Sequence, residues 1–127
     1  MIDHIGFPVS DYPKARDFYA KALAPLGYAL IMELKQNEQD APAAGFGKDG
    51  KPDFWIGGEG GLGKALHVAI LAANRAEVDA FYAAALAAGA KDNGPPGVRA
   101  HYHPNYYGAF VLDPDGHNIE AVCHKPG

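Results

Sequence analysis

The hexapeptide FYAKAL at residues 18–23 returns as FYAAAL at residues 81–86, and the offset of 63 between the copies also carries His4 onto His67. A repeat at this spacing is the first thing to settle, because missing it misassigns the whole fold. Around each copy the chain reads as a short strand followed by an amphipathic helix. In the first, Ala15, Phe18, Tyr19, Ala22, Leu23 and Leu26 recur at helical spacing, with Asp11 or Ser10 as cap, Pro13 in the first turn and Gly27 at the close. In the second, Val78, Phe81, Tyr82, Ala85 and Leu86 repeat the stripe behind an Asn74 to Glu77 capping box, and Gly89 ends it. Strand candidates follow each helix: ALIMEL (29–34), AAGFGK (43–48) and DFWIGG (53–58), then a weak stretch near 98–103, YYGAFVL (106–112) and HNIEAV (117–122). Turn residues separate them, notably KDGKP at 48–52 and DPDG at 113–116. Each half therefore reads βαβββ. The expected architecture is α+β, a single domain over 1–127 with one module at about 1–60 and the other at about 64–127.

The glycine-rich GGEGGLG at 57–63 joins the two halves. With Lys64 it superficially resembles a phosphate cradle, but it lacks the spacing and the Ser or Thr after the lysine, and it precedes a strand; it is expected to be a linker. Between 90 and 105, Gly94, Pro95, Pro96, Gly97 and Pro104 predict irregular chain with little regular pairing.

At 127 residues the chain has the size of one domain that buries its core without disulfides. Hydrophobic residues at 48% and charged residues at 20% are ordinary for a globular protein, and a formal charge of -4 offers no field to attract nucleic acid or anionic lipid. No stretch approaches the roughly 20 apolar residues that span a bilayer. The lone Cys123 forms no internal disulfide, and MIDHIGFPVS has neither a basic leader nor a long apolar run, so a reducing, cytoplasmic location is expected.

Strand alternation then sorts side chains between faces. In the strand beginning at Ala65, Leu66, Val68 and Ile70 form the set that packs under the helices, which sends His67 to the opposite, concave face. The same sorting sets His4 apart from Ile5 and Phe7, and Glu120 apart from Ile119 and Ala121. A glutamate in a half-buried strand is costly unless paired, protonated or bound to a cation, and two histidines related by the repeat are its natural partners. Two imidazoles and a carboxylate leave two or three coordination positions for water or substrate, as in a catalytic metal site. His4, His67 and Glu120 are thus candidate ligands of one divalent ion, and the set accepts Mn, Fe, Co, Ni or Zn.

RAHYHPNYYG at 99–108 concentrates Arg99, His101, Tyr102, His103, Asn105, Tyr106 and Tyr107 in a loop leading into the metal-bearing sheet. Such a loop is a pocket wall or a packed aromatic surface; within it His103 and Tyr107 are the candidate acid/base or orienting groups. Trp55 is read as core, with a place in the lining of the cup as the alternative on the last strand of the first module, and Cys123 as buried and inert.

With the duplicated βαβββ unit, the two histidines at the repeat offset and the closing YYGAFVLDPDGHNIEAV, the chain resembles the vicinal-oxygen-chelate superfamily. That superfamily includes glyoxalase I, extradiol dioxygenases, fosfomycin-resistance thiol transferases and bleomycin-resistance proteins. The resemblance covers essentially the whole chain. It implies that His4, His67 and Glu120 are metal ligands, that small members form homodimers whose modules combine into cup-shaped barrels, and that the protein is a metal-dependent enzyme acting on a small oxygen-bearing molecule. Lyase, isomerase, thiol-transferase and dioxygenase chemistry are all open, since a scaffold does not fix a reaction. Glyoxalase I takes a fourth ligand from the last strand of its first module; the offset puts that counterpart at Gly57, where no carboxylate stands, although Asp53 and Glu59 flank the strand. Ten residues before Glu120, where relatives tend to carry a tyrosine, stands Phe110. The competing expectation is a metal-free ligand-sequestering protein of the bleomycin-resistance type; an interaction module without a small ligand is a third.

Overall fold

A computed structural model of the chain describes residues 2–34, 42–58, 63 and 65–127. The first module runs β1 (Ile5–Pro8), α1 (Tyr12–Ala22), a short 3-10 helix (Ala24–Leu26), β2 (Ala29–Leu34), β3 (Ala43–Lys48) and β4 (Lys51–Gly57). The second runs β5 (His67–Leu71), α2 (Arg75–Ala87), β6 (Lys91–Asp92), β7 (Gly97–Val98), β8 (Tyr107–Leu112) and β9 (Asn118–Cys123). The fold is α+β, with two sheets and two helices. One sheet has the order β1-β4-β3-β2; the other has β5-β9-β8-β6, with β7 also paired to β8. In both, the first strand is an edge strand and runs parallel to the last strand of its module. The expected linker at 57–63 lies largely outside the described residues. No helix among the described residues is long and apolar enough to cross a membrane.

The helix ends follow their sequence signals. The Asp11 carboxylate accepts from the Lys14 N–H and Pro13 occupies the first turn; the Asn74 side chain accepts from the Glu77 N–H while Glu77 reaches back to the Ala73 N–H. The first helix ends earlier than its apolar stripe predicts. Pro25 has no N–H and its ring crowds the preceding turn, so Leu26 reaches the core from the 3-10 turn and Gly27, at φ 81°, closes that turn. In the second module the weak strand near 98–103 contracts to Gly97–Val98, because the chain turns after Val98, with the Tyr102 N–H donating to Arg99 O at 2.9 Å; the Arg99 guanidinium holds the loop, donating to Pro95 O at 2.7 Å and Gly97 O at 2.8 Å.

A single apolar cluster runs through both modules, from Phe7, Phe18, Tyr19, Phe46 and Phe54 to Val78, Phe81, Val111 and Ile119. The helices pack on each other and the inward faces of the sheets on the helices. The strand faces sort as expected: Ile70 is buried while His67, Ala69 and Leu71 point outward. β1 and β5 line a cavity of about 160 Å³ between the two sheets. The DPDG turn is part of this junction: Asp113, 5% exposed, accepts from the Tyr19 hydroxyl at 2.5 Å and from the N–H groups of Asp115 and His117. Asp115 in turn accepts from the Ser10 hydroxyl.

Candidate functional site

The outward face of the second sheet carries the polar constellation. β5 and β9 pair in parallel with His67 opposite Asn118 and Ala69 opposite Glu120, while β8 sets Phe110 opposite Glu120. Register partners share a face, so His67, Asn118, Glu120 and Phe110 project together. His67 Nε2 stands 3.1 Å from Glu120 Oε1, and the His67 ring stacks on Phe110 with centroids 6.4 Å apart. The His67 side chain keeps 49% of its exposure while that of Glu120 keeps 2%, so the carboxylate forms the floor and the imidazole the rim. These residues, with Tyr102 and Tyr106, enclose a cavity of about 450 Å³.

Hydrogen bonding fixes the roles of the atoms. His67 Nδ1–H donates to the Asn118 carbonyl at 3.1 Å, since a carbonyl only accepts. In the neutral ring that leaves Nε2 as the nitrogen with the lone pair, aimed at a carboxylate oxygen. Two acceptors at 3.1 Å repel unless a proton or a cation lies between them. A ring nitrogen oriented by a backbone carbonyl through its other nitrogen is the arrangement of metal-binding histidines. The second carboxylate oxygen, Oε2, accepts from the Tyr106 hydroxyl. Burial, and then the neighbouring Glu120, hold the Tyr106 phenol well above its ordinary range, so it is a protonated donor. Asn118 Oδ1 is buried without a partner beside this cavity.

His4 does not join this pair. It precedes β1 on the first sheet, is exposed, and its Nδ1–H donates to Asp3 at 2.7 Å; Asp3 also accepts from Lys51 at 2.5 Å. Among the described residues no three potential ligands come together within one chain. Within one chain each sheet presents its own outward face, and the two histidines belong to different sheets.

The repeat needs a correction at its far end. Gly6 is the counterpart of Ala69, and it pairs with Trp55 as Ala69 pairs with Glu120. Trp55, not Gly57, therefore holds the place of Glu120 in the first sheet. Its indole lies against Gly45, where a Cβ would come within 2.8 Å of the ring, and a Cβ on Gly6 would stand 3.3 Å from the Trp55 Cβ. The indole is half-buried there, on the outward face. Asp53 is engaged by the Tyr28 hydroxyl at 3.1 Å, and Glu59 lies outside the described residues. The outward face of the first sheet is apolar, with Met32 46% and Leu34 52% exposed.

The aromatic loop splits in function. Tyr107 does not face Glu120: it lies on the same side of β8 as Ala109 and Val111, donates to Asp79 on α2 at 2.6 Å and carries the Arg75 guanidinium over its ring. Tyr106 is the tyrosine that reaches the site. His103 Nδ1 accepts from the Asn105 N–H at 3.0 Å and its ring meets His124 at 5.8 Å, which places it in the turn behind Tyr106. Arg99 closes the loop and lies over the Phe110 ring. Strand parity held the signal for Tyr106, since Tyr106 and Phe110 share a parity opposite to the buried Ala109 and Val111. Cys123 is buried and unpaired, as expected.

The glyoxalase/bleomycin resistance protein/dioxygenase superfamily model matches residues 1–121. Among solved structures, a glyoxalase/bleomycin resistance protein from Albidiferax ferrireducens T118 is 26% identical, with 97% of each chain covered and a TM-score of 0.73. A glyoxylase/bleomycin resistance protein/dioxygenase domain from Frankia sp. EAN1pec is 16% identical, with 98% of each chain covered and a TM-score of 0.73. Glyoxalase I from Zea mays is 20% identical with a TM-score of 0.71; the match covers 95% of this chain and 43% of the maize chain, so the protein spans less than half the length of that enzyme. No curated protein matches the sequence.

Proposed function

We propose, from the premise that this chain belongs to the glyoxalase/bleomycin resistance protein/dioxygenase superfamily, that it is a divalent-metal-dependent enzyme acting on a small oxygen-bearing substrate. The observation that carries this reading is the convergence of the His67 Nε2 lone pair and Glu120 Oε1 on one point, with the imidazole oriented from behind by the Asn118 carbonyl. A nitrogen and a carboxylate oxygen with open surroundings fit Mn, Fe, Co, Ni or Zn. His4 completes the set in a homodimer, where the first sheet of one copy closes over the second sheet of the other. The exposed, apolar outward face of the first sheet supports that pairing.

When bound, such a metal polarises a carbonyl or hydroxyl oxygen of the substrate. The residues around it do the rest. Tyr102 and Phe110 wall the cavity. Asn118 lines the same cavity, its Oδ1 buried without a protein partner. The position of Trp55 supplies no carboxylate for proton transfer, which separates this site from one that uses a fourth acidic ligand. The buried, unpaired Cys123 agrees with a cytoplasmic location.

The test is elemental analysis of protein purified without chelator or affinity tag and reconstituted with each metal, beside the His67→Ala variant. Stoichiometric metal in the wild type and its loss in the variant are expected. If neither retains metal, the enzyme reading fails and a ligand-sequestering role takes its place.

A further inference from the structure

We infer that Tyr106 is a positioning residue for Glu120, holding Oε2 through its hydroxyl so that Oε1 alone is presented beside His67 Nε2. The inference rests on the metal reading above and adds the group that sets how the carboxylate binds. Glu120 makes two directed contacts, one per oxygen: His67 on Oε1 and Tyr106 on Oε2. With Oε2 engaged by the hydroxyl, Oε1 would be the oxygen offered to a cation held with His67, leaving room for substrate.

The loop is built to deliver this hydroxyl. The Arg99 N–H donates to Tyr106 O at 2.7 Å and the Tyr106 N–H donates to His103 O at 3.0 Å, closing the loop on both sides of the tyrosine's peptide. The ring is held edge-on between Tyr102, with centroids 5.0 Å apart, and His124, at 5.2 Å. Gly108 leaves the space the pair needs: a Cβ there would stand 3.2 Å from Tyr106 Cε1 and 3.3 Å from Glu120 Oε2. The HPNYYG segment thus has a task that neither His103 nor Tyr107 performs. Partners that orient metal ligands typically contribute about ten- to a hundredfold in metal affinity.

Cobalt(II) titration followed by visible absorption tests this, because band intensity and position report coordination number and not merely folding. In Tyr106→Phe, cobalt is expected to bind about ten- to a hundredfold more weakly, with a weaker, shifted band as the freed oxygen joins the coordination shell. Gly108→Ala, which crowds the ring but keeps the hydroxyl, is expected to move the spectrum in the same direction by less. Tyr82→Phe, which removes a hydroxyl that donates to Asp92 and takes no part in the cavity around Glu120, serves as the control and is expected to match the wild type. If Tyr106→Phe gives the wild-type affinity and spectrum, the positioning role is overturned while the metal reading stands. If the wild type itself takes up no cobalt, the metal reading falls and takes the positioning role with it. A Tyr106→Phe protein with an altered melting temperature but an unaltered cobalt spectrum also overturns the inference, since its role is then structural alone.

Discussion

The Tyr19 hydroxyl donates to the Asp113 carboxylate at 2.5 Å across 94 residues of sequence, joining the first helix to the turn between β8 and β9. Tyr19 is fully buried and Asp113 is 5% exposed, so the bond is made away from water. Asp113 also accepts two backbone N–H groups of its own turn. A sequence element that is conspicuous in the primary structure, DPDG, therefore serves to lock one module onto the other. It contributes no atom to the cavity around Glu120.

Replacing Tyr19 by Phe keeps the ring and its packing but leaves one oxygen of a buried carboxylate without its donor. Leaving a buried acceptor unsatisfied costs about 1–3 kcal/mol. Tyr19→Phe is expected to lower the urea midpoint by an amount in that range while leaving the denaturant slope unchanged. Metal uptake at temperatures well below melting should stay at the wild-type level, because neither Tyr19 nor Asp113 lines the cavity around Glu120. A variant as stable as the wild type would show that the bond adds nothing net.

The same bond sets a pH dependence on the alkaline side. Burial, and then Asp113, push the Tyr19 phenol well above its ordinary value, and burial with Asp53 pushes Tyr28 up to about 12. A phenol whose pKa is raised by folding stabilises the fold while it is neutral. That contribution is complete below the unfolded value of about 10 and is lost as pH rises through the folded value. Stability is therefore expected to hold to about pH 10 and to fall steeply above it. Phenolate absorbance in the native protein should lag behind that of the denatured protein over the same range. Coincident curves would contradict it.

How much of this could be read from the sequence depends on what each residue's position rests on. The two helices and the inward or outward sense of His67 and Glu120 were legible, because period and parity are local properties of the chain. The place of Glu120 in the first sheet was not. A constant offset leads to Gly57, whereas strand pairing leads to Trp55, two positions earlier, because the modules differ in length between helix and last strand. Tyr106 and Tyr107 are adjacent and chemically identical, and only the strand's parity relative to Ala109 and Val111 separates them. The concave face of a half-buried strand is where Glu120 is expected, in need of a partner; that it is 1% exposed, with Tyr106 and Phe110 beside it, depends in part on a loop whose path no periodicity encodes. His4 was sorted correctly away from Phe7, yet parity within a strand says nothing about how two sheets face each other.

That last point yields the sharpest test of the assembly. If the site joins His4 of one copy to His67 and Glu120 of another, the variants His4→Ala and His67→Ala are each deficient, but a mixed dimer contains one site with both histidines and one with neither. With free exchange of subunits at equal concentrations, half the dimers are mixed, so roughly a quarter of all sites are expected to be intact. Mixing the two variants, allowing exchange and then titrating metal should restore that fraction of wild-type uptake, in proportion to the mixed dimer resolved by mass. If a single chain supplied all three ligands, no mixture would recover anything, because every chain would still lack a histidine. Recovery without a mixed dimer, or a mixed dimer without recovery, rules out the shared site, and the second outcome leaves His67 and Glu120 to hold the cation without His4.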